Sequence, residues 1–279
     1  MSTKIITGDC IESMQALDEE SIDITVTSPP YNLKINYNKY KDNLKFKDYL
    51  DWLNNVFIEV YRILKPKGSF FLNVGFSSTN PWIAMEVARV ARDIKIKNKK
   101  TGFVLQNNIV WIKSISINDT TYGHFKPINS PRFINNTFEN LFHFTKTGNT
   151  KLNRKAIGVP YMHKSNIKRF HAEADKRCRG NCWFIPYETI QNRSQKGEHP
   201  AIFPEQLVEW CIKLHGYDKD TTICDPFLGT GTALVVAKKL GINAIGIDID
   251  EYYTNYTKKR LLAYDNKNKN ATRKNTSQT

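Results

Sequence analysis

The sequence lacks the features that mark membrane, secreted and disulfide-bonded proteins. No apolar run approaches the roughly 18 residues that a transmembrane helix requires, so no membrane association is predicted. The opening residues lack the long apolar segment of a secretory signal. The five cysteines are odd in number and widely scattered, which indicates reduced thiols in a cytoplasmic protein rather than a disulfide framework.

Acidic residues are scarce relative to basic ones. The chain has 27 Asp and Glu against 41 Lys and Arg, which gives a formal net charge of +14. Such a charge favours a polyanionic partner, although many basic proteins bind no nucleic acid. With 40% hydrophobic and 12% aromatic residues, the composition is otherwise that of a globular protein. A chain of 279 residues is long enough to bury a substantial core.

Strand-like and helix-like patterns alternate along two parts of the chain. In residues 1–145 the clearest are a β-branched strand at Ile22–Thr27 and a helix at Tyr49–Leu64. The alternation returns in residues 197–264, whereas residues 265–279 have no apolar anchor and predict a disordered tail. This order predicts an α/β fold with a doubly wound, mostly parallel sheet, which binds ligands beyond the carboxyl ends of its strands.

Two basic segments interrupt this alternation. Residues 34–47 contain five Lys and one Asp, and residues 146–196 contain twelve Lys and Arg without a long periodic pattern. A solvated face is one interpretation of such segments. In the longer segment aromatic residues lie among the charges, which suits phosphate contact and base stacking: Tyr161, Phe170, Trp183, Phe184 and Tyr187.

A glycine-containing loop, Asp225–Thr232, joins a predicted strand to a predicted helix at Thr232–Leu240. Gly229 and Gly231 permit positive φ there, but the loop matches neither a phosphate-binding loop nor the full dinucleotide fingerprint. Asp248 ends the next predicted strand, Asn243–Asp248, where a carboxylate can accept hydrogen bonds from both ribose hydroxyls. This combination favours adenosine joined to a cationic group, as in S-adenosylmethionine. A structural turn and a solvated aspartate are the alternative.

The peptide from Thr27 to Asn32, Thr-Ser-Pro-Pro-Tyr-Asn, follows the β-branched strand directly. Its two prolines restrict the backbone and have no N–H, so nearby carbonyls are free to accept hydrogen bonds from a ligand. The Ser28 hydroxyl and a carbonyl could accept the N–H hydrogens of a planar base with an exocyclic amine, while Tyr31 stacks on its face. The alternative is a rigid turn that ends the strand.

These two peptides, about 200 residues apart, resemble the motifs of the β group of DNA amino-methyltransferases, which are circularly permuted. The resemblance covers roughly residues 4–264 and includes further segments in the same order: Gly8–Cys10, Ser21–Ile24, Lys65–Phe71, Ile109–Lys113, Phe138–Lys146, Asn181–Pro186 and His199–Pro204. It implies a Rossmann-like methyltransferase sheet with an antiparallel end strand. The catalytic half would be residues 1–145, the target-recognition insert 146–196, and the cofactor-binding half 197–264.

The resemblance also implies roles for individual residues. The extruded base would be received by Ser28, Pro29, Pro30 and Tyr31. The S-adenosylmethionine pocket would be formed by Asp9, Cys10, Phe203, Pro204, Asp225, Pro226, Phe227, Gly229, Gly231, Thr232 and Asp248. The implied partner is double-stranded DNA, with a restriction endonuclease as a possible companion and a monomer or homodimer as the assembly.

Within this family, Ser at position 28 and the residue sequence of His199–Pro204 favour the N4 amine of cytosine as the target, with the N6 amine of adenine as the alternative. None of the cysteines follows Pro, which disfavours methylation at cytosine C5. RNA or protein methyltransferases are one alternative, but they usually have the glycine loop before the peptide that corresponds to Ser-Pro-Pro-Tyr. In this sequence the glycine loop comes after it. A catalytically silent DNA-binding module would be free to lose Ser28, Tyr31, Gly229 and Asp248.

A zinc site is the remaining possibility that the sequence raises. Cys178 and Cys182 are spaced C-x3-C, and His171 and His199 lie nearby in the sequence. The second cysteine pair of a structural zinc site is missing. The sequence therefore predicts no metal.

Overall fold

The computed structural model describes residues 1–35, 37, 39–96, 99–100, 102–186 and 203–276. Within these residues there are twelve strands: β1 (Thr3–Thr7), β2 (Ile22–Thr27), β3 (Leu64–Val74), β4 (Lys95–Ile96), β5 (Lys99–Lys100), β6 (Val104–Ile112), β7 (Ser114–Ile117), β8 (Thr120–Gly123), β9 (Phe138–Thr145), β10 (Cys182–Phe184), β11 (Thr222–Asp225) and β12 (Asn243–Asp248). The same residues form seven helices: α1 (Cys10–Gln15), α2 (Phe46–Ile63), α3 (Ile83–Asp93), α4 (Ser165–Arg169), α5 (Glu205–His215), α6 (Thr232–Leu240) and α7 (Glu251–Thr276). None of these described helices is both long and apolar enough to cross a membrane.

One eight-stranded sheet organises the molecule, in the order β1-β12-β11-β2-β3-β9-β6-β10. All neighbouring strands are parallel except around β9, which is antiparallel to both β3 and β6. The predicted doubly wound, mostly parallel α/β sheet is therefore confirmed. The antiparallel strand lies inside the sheet rather than at its end, because β6 and β10 continue the sheet beyond it.

Apolar side chains cover both faces of this sheet. Along β3, Phe70 and Leu72 pack with α1, α2 and α3, while Phe71 packs on the opposite face with α5 and α6. Leu261 of α7 packs in the same apolar cluster as Phe71. Because helices cover both faces, β2 and the second half of β3 are buried on both sides of the sheet, including their polar residues Thr25, Ser69 and Asn73.

The helix predicted to end at Leu64 ends at Ile63, and Leu64 begins β3, which also includes residues 65–68. Leu64 pairs with Ile22, and the register then shifts before Ile24 pairs with Ser69. A Cβ on Gly68 would lie only 2.9 Å from the Asp23 carbonyl oxygen. Glycine therefore lets the backbone follow this irregular path, which a larger residue would obstruct.

The basic segment contributes to the main sheet through β10, which pairs in parallel with β6. Trp183 is 1% exposed, and its indole N–H donates to the Gly180 carbonyl. Part of the segment expected to contact nucleic acid is thus an edge strand anchored in the core. Residues 187–196, including Tyr187, lie outside the described part of the chain.

The last helix is longer than the sequence indicated. Residues from 265 onward were expected to be disordered, but α7 continues to Thr276. Residues 265–276 contain neither Pro nor Gly, so nothing in the sequence ends a helix that is anchored by buried Thr257 and Leu261.

Candidate active site

A cavity of about 190 Å³ lies at the carboxyl ends of β2, β11 and β12, where the two motifs meet. The structure describes all fifteen residues predicted for the site, and ten of them line this cavity: Asp9, Cys10, Ser28, Pro30, Phe203, Pro226, Phe227, Gly229, Thr232 and Asp248. Most of the residues that the sequence singled out therefore meet at one edge of the sheet, and their roles stay predictions.

The loop between β11 and α6 is shaped by its glycines. Gly229 and Gly231 both have positive φ, 49° and 79°. A Cβ on Gly231 would overlap the side chain of Thr257 on α7, so this position requires glycine for space as well as for conformation. Gly231 precedes α6, which starts at Thr232 as predicted.

Asp248 is held by backbone amides on both carboxylate oxygens. Gly229 N–H donates to Oδ2 at 2.8 Å, and Asp250 N–H donates to Oδ1 at 2.9 Å. Burial raises the pKa of Asp248 to about 6, and the charge of Asp250 acts in the same direction. At neutral pH the carboxylate is mostly ionised and has acceptor capacity left for a ligand in the cavity.

Asp225 joins the two motifs from behind the loop. Its Oδ1 accepts from the Thr27 hydroxyl at 2.6 Å and from the Phe227 N–H at 3.1 Å. Asp225 is fully buried, and burial raises its pKa to about 7. Asp225 was expected to line the cofactor pocket. Within the described structure it lies outside the cavity wall, and it supports the glycine loop from behind.

Asp9, Phe203 and Pro204 approach the cavity from two other elements. Asp9 caps α1, since its Oδ1 accepts from the N–H groups of Ile11 and Glu12. Phe203 lines the cavity directly. Pro204 is the N-cap of α5 and, in the described structure, lies behind Phe203 rather than in the wall.

The peptide after β2, which is predicted to be catalytic, presents Ser28 and Pro30 to the cavity, while Pro29 is buried. The Pro30 carbonyl accepts from the Tyr49 hydroxyl at 2.8 Å. The carbonyl expected to accept from the target amine is the preceding one, that of Pro29. The Tyr31 ring packs close to Gly75, where a Cβ would come within 2.7 Å of Cε2. In the described structure Tyr31 is outside the cavity wall, so its stacking on a base stays a prediction.

A hydrogen-bonded network lies behind this peptide. The Tyr31 Oη is 2.6 Å from Ser28 Oγ and 3.1 Å from Glu139 Oε2. Asn73 Nδ2 donates to Tyr31 Oη at 2.8 Å and to Glu139 Oε2 at 2.6 Å. Lys113 Nζ lies 2.9 Å from Glu139 Oε1. These side chains come from the ends of β3, β6 and β9.

Sequence reasoning missed Asn73 and gave Glu139 and Lys113 no role beyond matching segments. The available signal was a polar residue in the apolar run of β3: Asn73 is only 3% exposed. Buried polar groups are costly without partners, which marks such a residue for a network. Its partners could not be identified from the sequence.

An aromatic wall closes another side of the cavity, and of its four residues only Phe227 was predicted from the sequence. It consists of Tyr37, Tyr40, Trp52 and Phe227, with ring centroids 5.6 Å apart for both Tyr40–Trp52 and Trp52–Phe227. Asp42 folds the basic loop that carries the tyrosines, because its carboxylate accepts three backbone N–H groups: Asn32, Leu33 and Ile35. Flat rings at this place suit a planar ligand.

The candidate zinc residues do not form a cluster in the described part of the chain. Cys178 and Cys182 are exposed free thiols, and no group of three His, Cys, Asp or Glu that could hold a metal occurs among the described residues. His199 lies outside them.

Curated relatives match nearly the whole chain. Type II methyltransferase M.HpaI of Haemophilus parainfluenzae is 29% identical over 262 residues, which span 94% of this chain and 74% of the relative. DNA adenine methyltransferase YhdJ of Escherichia coli K12 is 26% identical and spans 92% of this chain and 82% of the relative. Both are methyltransferases by name, and the second is named as acting on DNA adenine.

Solved structures share the fold. The PvuII DNA methyltransferase, described as cytosine-N4-specific, superposes with a TM-score of 0.68 at 20% identity, covering 92% of this chain and 85% of that one. A Thermus thermophilus protein solved in complex with S-adenosyl-L-methionine superposes with a TM-score of 0.58 at 23% identity, covering 92% of each chain. At these identities the likeness establishes the fold alone.

The family comparison covers both motifs. A family model described as DNA methylase, of the N6/N4 methyltransferase type, matches residues 22–259. This range holds the catalytic peptide, the glycine loop and Asp248, the residues that meet at the cavity. The chain therefore belongs to the N6/N4 DNA methylase family and is a DNA methyltransferase of that family.

Proposed function

We propose that the chain transfers a methyl group from S-adenosylmethionine to the N4 amine of a cytosine extruded from duplex DNA. The observation that carries this proposal is that Ser28 and Asp248 face one cavity from nearby strand ends. The cavity thus combines acceptors for an amine with an acceptor for a ribose. Its position corresponds to the general ligand site of doubly wound sheets.

The residues present fit S-adenosylmethionine. Asp248 offers acceptor oxygens for ribose hydroxyls, and the Gly231 position has room only for a bare backbone. Phe227, Gly229 and Thr232 are assigned to the methionine side, with Asp9 near the adenine. The solved complex of the Thermus thermophilus protein, which has the same fold, supports this cofactor.

The cofactor supplies an electrophilic methyl group on a sulfonium. In the reaction an N–C bond forms, the S–C electron pair stays on sulfur as that bond breaks, and the methylated nitrogen releases one proton to solvent. The amine is a weak nucleophile because its lone pair is conjugated with the ring. Ser28 Oγ and the Pro29 carbonyl would accept its N–H hydrogens and favour a more tetrahedral nitrogen, so positioning and electrostatics carry the rate.

The proposed substrate is duplex DNA, in which the target base must leave the stack before its amine can reach the cavity. The basic loop 34–47 beside the cavity and the basic segment 146–196 are the proposed contacts to its backbone. The order of the motifs supports a β-group, circularly permuted arrangement with the catalytic half first. A companion restriction endonuclease is proposed from the Type II name of the M.HpaI relative.

Adenine N6 is the second candidate. The family includes both amines, and one relative is named a DNA adenine methyltransferase. We favour cytosine because Ser28 occupies the position where adenine enzymes usually have Asp, and because the PvuII structure is described as cytosine-N4-specific.

Nucleoside analysis tests the proposal. The protein is incubated with labelled S-adenosylmethionine and mixed-sequence duplex DNA, with an Asp248→Ala variant as the matched control. N4-methylcytosine is the expected product. N6-methyladenine as the only product would transfer the assignment to adenine, and the absence of any methylated base would overturn the activity.

A further inference from the structure

The Ser28–Tyr31–Glu139 contacts form a chain of two hydroxyls that ends on a carboxylate. The oxygens are separated by 2.6 Å and 3.1 Å, and Asn73 Nδ2 bridges Tyr31 and Glu139. Each hydroxyl has one proton, so the chain could run in either direction unless one end can only accept.

Glu139 sets the direction. Its carboxylate has Lys113 Nζ at 2.9 Å from Oε1 and Asn73 Nδ2 at 2.6 Å from Oε2, two donors that suit an ionised carboxylate. An ionised carboxylate only accepts, so the Tyr31 hydroxyl must donate to it. The reverse orientation of the Asn73 amide would place its oxygen against the carboxylate, which excludes that orientation.

Tyr31 keeps its proton available for this bond. Burial raises its pKa well above the usual value, and the charge of Glu139 acts in the same direction. With its proton on the bond to Glu139, the Tyr31 oxygen can only accept from its other neighbours, which are Asn73 Nδ2, the Gly75 backbone N–H and Ser28 Oγ. The Ser28 proton therefore points away from the cavity, toward Tyr31.

We infer that Glu139 is a positioning residue, which acts through Tyr31 to keep the lone pairs of Ser28 Oγ directed at the target amine. This inference rests on the proposed function, since an amine N–H needs an acceptor at Ser28. Glu139 does not touch the substrate in this scheme. Removing its acceptor would let the Tyr31 proton turn to Ser28 and the Ser28 proton turn into the cavity.

A double-mutant cycle tests the inference with Glu139→Gln, Tyr31→Phe and the double variant. Single-turnover methyl transfer is measured with pre-bound S-adenosylmethionine, and cofactor affinity is measured separately. Each single variant should lower the transfer rate about 10- to 100-fold, the range for loss of one charge-assisted hydrogen bond. The affinity for cofactor should change less than about two-fold, because these side chains lie outside the cofactor loop.

The diagnostic result is non-additivity. The double variant should be no slower than the slower single variant, because both changes break one chain. Glu86→Gln on α3, a half-buried glutamate that is likewise ion-paired (to Arg89) but lies outside the cavity wall, is the matched control and should keep the wild-type rate. Thermal unfolding of each variant shows whether a slow rate reflects misfolding, which a structural ion pair alone would produce.

Three outcomes would overturn the inference. One is a wild-type rate for Glu139→Gln, and another is a double variant whose loss is the product of the two single losses. The third is a rate loss in Glu139→Gln that only follows a loss of folded protein. Absence of methyl transfer by the wild-type protein would instead contradict the proposed function itself, and the inference would fall with it.

Discussion

The two sides of the cavity are held in place by different kinds of interaction. On the cofactor side, glycine conformations and backbone amides shape the loop, and Asp248 accepts from Gly229 and Asp250. On the catalytic side, Ser28 is oriented by side chains from distant strands, through Tyr31. A site held by the backbone is encoded in one short peptide, whereas a site held by side chains depends on strands far apart in the sequence.

This contrast predicts separable defects. Changes on the catalytic side should reduce the rate of transfer and leave cofactor binding intact. Changes on the cofactor side should reduce binding or stability, because they disturb the backbone that forms the pocket.

The largest expected effect is that of Ser28→Ala on turnover. Loss of the proposed amine acceptor should lower the single-turnover rate about 100- to 1,000-fold, by analogy with removal of one oriented group that acts in a transition state. Tyr31→Ala should likewise weaken turnover far more than cofactor affinity. Rapid-quench assays and calorimetric titration measure the two quantities. A Ser28→Ala variant that lost cofactor binding instead would show that the two sides are not separable.

The converse defect is expected for Asp248→Ala. Removing the carboxylate should weaken S-adenosylmethionine binding about 10- to 100-fold, the equivalent of one or two hydrogen bonds to a charged group. Equilibrium titration gives the dissociation constant, and saturating cofactor should recover part of the rate. Asp220→Ala, in the exposed turn before β11, is the control and should bind normally. A full loss of rate at saturation with unchanged affinity would contradict the assignment.

A matched glycine pair tests the backbone side. Gly231 and Gly241 have similar positive φ, 79° and 73°, but only at Gly231 would a Cβ overlap a neighbour, Thr257. Gly231→Ala should therefore lower the free energy of unfolding by about 1–3 kcal/mol or more, and Gly241→Ala by about 1 kcal/mol. Urea denaturation measures both, and cofactor binding should suffer only in Gly231→Ala. Equal losses would show that conformation alone matters.

The smallest expected effect concerns acid stability and begins in the core of the sheet, where His143 of β9 is buried against Ser69 of β3. Burial lowers the pKa of His143 to about 3, so the folded protein keeps it neutral while the unfolded chain takes up a proton below about pH 6.5. Its contribution is thus present above pH 6.5 and is lost as the pH falls, by at most about 1.4 kcal/mol per pH unit.

On the cofactor side the sign is opposite. Burial raises the pKa values of Asp225 and Asp248 to about 7 and 6, so their folded-state penalty is relieved as the pH falls from 7 toward 4. Urea denaturation at pH 7 and pH 5 separates the two: relative to wild type, His143→Asn should gain stability at the lower pH and Asp225→Asn should lose it. Exposed His163→Asn is the control. Identical pH dependence in all variants would refute both assignments.

Local patterns predicted much of the fold. The bounds of β2, α6 and β12 agree with the sequence prediction residue by residue, because β-branched runs and helical spacing act over a few residues. The glycine loop was recognised for the same reason. The start of β3 at Leu64 was not predicted, because pairing with β2 imposes an extended backbone on Lys65, Pro66, Lys67 and Gly68, whose local preference is a turn.

Positions that depend on long-range pairing could not be predicted. The sequence placed the antiparallel strand at the end of the sheet, but β10, from the basic segment, extends the sheet past it. The tyrosines of the aromatic wall were missed because the basic loop is folded by Asp42, which is seven to ten residues from the amides it binds. Nothing in the composition of the loop indicates that its tyrosines face the cavity.

The amino-acid sequence by itself determined the alternation of strands and helices and the two peptides at strand ends, since periodicity and backbone restriction are local properties. Only the tertiary structure decided which side chains contact Tyr31 and, through it, Ser28. Asn73 and Glu139 lie 42 and 108 residues from Tyr31 along the chain, and the pairing of β3 with β9 brings them together. The direction of a hydrogen-bonded chain is a property of that assembly, because it requires all its donors and acceptors at once.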